Sequence, residues 1–220
     1  MSKKNNKNGS REFTEAFFKS NKEFHYNLED TADPYLVSSG SMILDSVLGG
    51  GFSAGLHRFI GANEGGKTNE ALHVMHNMLK TVDNSKGLFV MAEGRLNKDI
   101  KERAGINFVS DPAEWMTGTC LVFECHVMDT MVDFLRGLLR NNPDNERFCI
   151  VVDSMDGLIT KEDLEKSSSE ARKVAGGALM TSDFLKRISL GMSKFGHMCI
   201  MVSQVRSNIN ISPYAKQDPN

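Results

Sequence analysis

Eight consecutive residues carry the plainest chemistry in this chain: Gly61-Ala62-Asn63-Glu64-Gly65-Gly66-Lys67-Thr68. A glycine, four residues, then Gly-Lys-Thr is the pattern of a loop that cradles a polyphosphate. Glycines let successive backbone N–H groups turn toward phosphate oxygens. Lys67 can reach β- and γ-phosphates as a point charge, and the Thr68 hydroxyl can ligate Mg²⁺. A helix beginning here adds the positive end of its dipole. Nucleotide contacts are therefore expected from Gly61, Ala62, Asn63, Glu64, Gly65, Gly66, Lys67 and Thr68. The competing reading is a glycine-rich turn before an ordinary helix.

Three further polar residues end apolar runs. Asp153 closes Phe148-Cys149-Ile150-Val151-Val152. A carboxylate there can hold Mg²⁺ opposite Thr68, directly or through water, or it can cap the following turn. Glu93 follows Gly87-Leu88-Phe89-Val90-Met91-Ala92 and can orient an attacking water, or be a solvated strand-end group. Gln204 follows Met198-Cys199-Ile200-Met201-Val202-Ser203. Its amide can touch a γ-phosphate and change the loop behind it on hydrolysis, or be a polar residue where strand meets loop. His73 and His76 share a helical face at i, i+3, but no third ligand accompanies them, which argues against a metal pair.

The elements that must position these groups follow from periodicity. Leu56 to Ile60 reads as a short strand, less apolar than a central parallel strand because of His57 and Arg58. Ala71, Leu72, Met75, Met78 and Leu79 recur at helical spacing after the loop. Strands are expected at 87–92, 119–124, 148–153 and 197–203, and helices at 42–48, 97–104, 127–139 and 175–194. Residues 11–26 read as an amphipathic helix carrying Phe13, Phe17 and Phe24, able to pack on its own domain or on a neighbouring subunit. The polar stretch 161–173 reads as mobile. Alternating strands and helices predict an α/β fold with a mostly parallel central sheet flanked by helices. Ligands of such sheets bind outside the carboxyl ends of the strands, where the phosphate loop, Glu93, Asp153 and Gln204 all fall.

Composition bounds the rest. The chain has 220 residues, 40% hydrophobic and 25% charged, as in a globular protein. No run approaches the roughly 20 apolar residues of a membrane span. Net charge is -2, so nucleic-acid contact must come from a local patch. Cys120, Cys125, Cys149 and Cys199 lie in or beside apolar runs without CxxC spacing, as buried free thiols of a reducing compartment do. Residues 1–10 read as a disordered tail.

Taken together, these residues resemble the RecA-type strand-exchange recombinases. Val37-Ser38-Ser39-Gly40-Ser41, Leu44-Asp45 and Leu48-Gly49-Gly50-Gly51-Phe52 are similar to the family's lead-in to its ATPase core. Ala92-Glu93 matches the segment carrying its catalytic glutamate, with Met91 replacing an aspartate. Val151-Val152-Asp153-Ser154 matches its metal-binding strand, and Ser203-Gln204-Val205-Arg206 the stretch with its γ-phosphate-sensing glutamine. The resemblance runs from Leu36 to Arg206 and implies a RecA-like core that binds ATP and Mg²⁺. Glu93, Lys67 and Gln204 would be catalytic, Thr68 and Asp153 would hold the metal, and Ile100 would replace the family's aromatic adenine contact. Lys166, Arg172 and Lys173 would belong to a first DNA-binding loop, and Arg206, Asn208 and Asn210 to a second. Residues 11–34 would be an oligomerisation helix and linker, and 35–220 the ATPase core ending in the second loop. Glu64 departs from the small residues or Ser usual at its position. The family continues beyond the second loop, so a fragment or a short member is implied.

The expected function is that of a cytoplasmic, DNA-dependent ATPase. It would assemble as a homo-oligomeric filament on single-stranded DNA, pair homologous strands, and have no membrane contact. The alternatives are a ring-forming, helicase-like motor on the same core and a nucleotide-dependent scaffold or regulator with little turnover.

Overall fold

The computed structural model describes residues 9–20, 32–94, 96–165 and 176–205. The chain divides into two units, Met1–Thr31 and Ala32–Asn220. In the first, helix α1 (Gly9–Ser20) carries Phe13 and Phe17 with ring centroids 6.1 Å apart. It begins two residues before the expected start, and Phe24 lies outside the described residues.

The second unit is a six-stranded sheet in the order β1-β6-β5-β2-β4-β3, with every neighbouring pair parallel. The strands are β1 (Gly55–Gly61), β2 (Ser85–Met91), β3 (Asn107–Val109), β4 (Thr119–Glu124), β5 (Arg147–Asp153) and β6 (Met198–Gln204). The helices are α2 (Met42–Val47), α3 (Lys67–Thr81), α4 (Lys98–Ala104), α5 (Met128–Arg140), α6 (Lys161–Glu165) and α7 (Gly176–Lys194). The α/β expectation holds. β3 is an addition that the sequence reading missed, because three residues are too few for periodicity to register. Part of the stretch expected to be mobile is the short helix α6, and 166–175 lie outside the described residues.

Successive strand side chains point to opposite faces, and both faces are buried. Phe89, Cys149, Val151, Ile200 and Val202 pack with Leu72, Met75 and Met78 of α3 and with Ile100 of α4. Leu88, Val90, Ile150, Val152, Cys199 and Met201 pack with Met131 and Leu135 of α5 and with Phe184, Ile188 and Met192 of α7. The result is a sheet between two helical layers. Eight of the thirteen methionines are buried among the described residues, as core filler. All four cysteines are free and buried.

β1 is one of the two edge strands, which explains its polar content. Among the described residues only β6 pairs with it; Arg58 is exposed, and its Nε donates to Ser203 Oγ at 3.1 Å. The lead-in to the core is pinned by side chains. Asp45 accepts from Ser38 Oγ at 2.5 Å and from the Ser39 N–H at 2.7 Å. Those bonds hold its carboxyl below the usual range. The exposed Ser41 caps α2 by accepting from the Leu44 N–H.

Candidate nucleotide site

Four strands deliver the site from their carboxyl ends. Gly61 ends β1, Met91 ends β2 just before Glu93, and Asp153 and Gln204 end β5 and β6. The register sets Gly61 beside Gln204 and Met91 beside Asp153. An open cleft of about 260 Å³ lies there, lined by Asn63 to Asn69, Ile100, Asp153, Val202 and Gln204.

The phosphate loop links β1 to α3. Gly66 is the N-cap of α3 at φ 83°, a left-handed conformation that glycine adopts without strain, and no side chain caps the helix. Uncapped N–H groups and the helix dipole make this terminus fit for an anion. Glu64 also has a positive φ, 57°, where a side chain is strained, and it lines the cleft. Lys67 Nζ donates to the carbonyl oxygens of Gly61 at 3.1 Å and Ala62 at 2.6 Å, so its ammonium is held inside the loop.

Thr68 Oγ1 donates to Asp153 Oδ2 at 2.7 Å. This bond brings together the two residues that the sequence assigned to a metal. Burial pushes the Asp153 carboxyl above its usual range and the Thr68 bond opposes the rise; the charge of Glu93 raises it further, and Lys67 lowers it. A partly buried carboxylate beside a hydroxyl is a hard oxygen pair that fits Mg²⁺, which is bound through one or two carboxylates together with substrate phosphates and water. Among the described residues no group of three His, Cys, Asp or Glu gathers for a protein-only metal site. His73 and His76 stack with centroids 6.5 Å apart, and His76 Nδ1 is bonded to the Gly105 carbonyl.

Glu93 stands beside the cleft. Its Oε2 accepts from Ser154 Oγ at 2.9 Å, and the Ala92 and Glu93 N–H groups donate to the Asp153 carbonyl at 2.8 and 3.2 Å. Gln204 lines the cleft, and its N–H donates to Asp156 Oδ2 at 2.7 Å. Ile100 lines both this cleft and an adjoining pocket of about 200 Å³ with Asn69, Leu72, His73, Arg103 and Ala104.

The structure thus gathers the phosphate loop, Ile100, Glu93, Asp153 and Gln204 at one end of the sheet. Lys166, Arg172, Lys173, Arg206, Asn208 and Asn210 lie outside the described residues. Sequence reasoning did not find the contacts of Ser154 and Asp156, nor that Asn69 and Val202 line the cleft; Ser154 fell within the matched metal-binding strand without a role of its own, and the other three carry no motif signal.

Comparison with known proteins agrees with this geometry. A family model described as the RecA N-terminal domain matches residues 25–217. The chain is 29% identical over 188 residues to Protein RecA of Mesoplasma florum, covering 84% of this chain and 52% of that protein. It is 27% identical to Protein RecA of Malacoplasma penetrans, covering 84% and 53%. With the mitochondrial DNA repair protein recA homolog 3 of Arabidopsis thaliana it shares 29% identity, covering 80% and 38%. The chain spans about half the length of the first two relatives. Among the described residues no helix is long and apolar enough to cross a membrane.

Proposed function

The chain belongs to the RecA family as a divergent member, and on that premise we propose that it is a DNA-dependent ATPase that assembles on single-stranded DNA and promotes homologous pairing and strand exchange. The observation that carries this reading is the Thr68–Asp153 hydrogen bond at 2.7 Å. It ties the phosphate-loop helix to a central strand end, with Glu93 just past the end of one flanking strand and Gln204 at the end of the other.

In this reading, loop N–H groups and Lys67 grip the polyphosphate of ATP, and Ile100 supplies an aliphatic surface for the base. Mg²⁺ held by Thr68 and Asp153 would neutralise charge on the phosphates. Glu93, steadied by the Ser154 hydroxyl, accepts a hydrogen bond from the attacking water and aims it. Phosphoryl transfer asks for little more than such positioning and charge. Gln204 senses the γ-phosphate and passes its presence to the chain beyond, where Arg206, Asn208 and Asn210 contact DNA. Lys166, Arg172 and Lys173 add a second set of contacts, dominated by phosphates. Helix α1, with Phe13 69% exposed, docks on a neighbouring copy and couples assembly to ATP bound between protomers. Four buried thiols suit a cytoplasmic setting.

The test is ATP turnover with and without a single-stranded oligonucleotide, at low and high salt, for wild type, Lys67→Ala and Glu93→Gln. DNA should stimulate turnover, and salt should erase the stimulation. Glu93→Gln should lower turnover by about 10²–10⁴-fold while still binding nucleotide, and Lys67→Ala should lose both. Turnover indifferent to DNA would leave a nucleotide-dependent scaffold as the better reading.

A further inference from the structure

We infer that Asp156 is a positioning residue that anchors the γ-phosphate-sensing end of β6 to the turn behind the metal-binding carboxylate. The inference rests on the ATPase reading above. After Asp153 the chain makes a 3-10 turn, Met155–Gly157. β5 and β6 pair only from Cys149↔Met198 to Val152↔Met201, whereas β6 continues to Gln204 against β1. Past Met201, the side of β6 that faced β5 has no strand to bond to. The Val205 N–H donates toward β1, to the Gly61 carbonyl at 3.1 Å. The preceding amide, that of Gln204, points the other way by strand alternation. The Asp156 carboxylate takes the place of the missing strand carbonyl and accepts that N–H at 2.7 Å. A carboxylate accepting from a backbone N–H is among the stronger hydrogen bonds available.

The same turn reaches the opposite neighbour. A Cβ at Gly157 would run into Glu93 Cγ, so only glycine leaves the glutamate its place. Ser154, just before the turn, donates to Glu93 Oε2. Residues 154–157 therefore hold Glu93 on one flank and the backbone of Gln204 on the other. With its backbone pinned, Gln204 responds to a γ-phosphate by moving its side chain and the chain that follows, while the strand stays fixed. Loss of the anchor lets the strand end fray, and the signal dissipates before it reaches residue 206.

Asp156 is exposed and does not line the cleft, so its substitution spares the fold and the phosphate grip. The experiment compares wild type, Asp156→Ala and Asp156→Asn in the full chain. Asn keeps an acceptor oxygen and serves as the rescue. Amide hydrogen exchange is read across residues 203–205. Affinity for a single-stranded oligonucleotide is measured with a non-hydrolysable ATP analogue and with ADP. Asp156→Ala should raise exchange at Gln204 at least tenfold and shrink the ATP-to-ADP ratio of DNA affinity at least fivefold. Its affinity for Mg-ADP should stay within twofold, and Asp156→Asn should restore most of the ratio. Unchanged exchange, an unchanged ratio, or a general fall in melting temperature and ADP affinity would overturn the anchor. A wild-type protein whose DNA affinity is equal in both nucleotides would instead refute the functional reading, and the relay with it.

Discussion

His197 is fully buried at the end of the sheet opposite the nucleotide cleft, and it is held neutral. The Phe148 N–H donates to its Nδ1 at 3.1 Å, so its proton sits on Nε2, which has no hydrogen-bond partner among the described residues. Burial, helped by the positive charge of Arg147, pushes its pKa down to about 4 from 6.5. The unfolded chain takes up a proton as pH falls through 6.5, and the folded chain does so only near 4. Stability is therefore full above pH 6.5 and declines below it, by roughly 3 kcal/mol on reaching pH 4. Urea unfolding at stepped pH should show that slope, and His197→Gln should flatten it; an equal slope in both proteins would assign it to other groups. At this scale the sequence was legible where a residue ended an apolar run, as Asp153, Glu93 and Gln204 do. It was silent where partners lie far apart, 61 residues for Ser154 and Glu93 and 48 for Asp156 and Gln204.

Elements were legible to the extent that their periodicity was long. Helix α3 and strands β2, β5 and β6 repeat their apolar pattern over seven residues or more. β3 has three residues and escaped. The polar content of β1 looked anomalous until the strand order put it at an edge. Glycine in the middle of β2 is the opposite case, a residue whose reason is visible only in three dimensions. Gly87 lies between Cys120 on β4 and Cys149 on β5. A Cβ there would come 2.9 Å from Cys120 Cβ and 3.0 Å from Met75 Sδ. The first contact is anchored to the backbone and cannot swing aside. Gly87→Ala should therefore destabilise the protein by about 1–3 kcal/mol through overpacking, seen as a lower urea midpoint with an unchanged slope. A wild-type midpoint would mean that β4 and α3 give way freely.

At the scale of the molecule, the site draws on α3, on Ile100 of α4 and on the ends of four strands, so a nucleotide bound there would stabilise the whole second unit. Mg-ADP at a hundred times its dissociation constant should add about 2.7 kcal/mol, read as a rise in melting temperature that Lys67→Ala abolishes. No rise in wild type would mean that the cleft does not bind nucleotide. The topology that builds this cleft also sets when it can exist. Gly61 pairs with Gln204, so the loop waits for its walls until nearly the end of the described chain. A ribosome adding on the order of 5–20 residues per second needs about 7–30 s to make the intervening stretch. Throughout that interval the emerging polypeptide displays a phosphate loop without Gln204, and for the earlier part of it without Asp153 as well. If this cleft takes a nucleotide, cellular nucleotide, however abundant, would not shelter such a nascent chain from proteases or chaperones, and would begin to act only on copies whose β6 has been synthesised and docked.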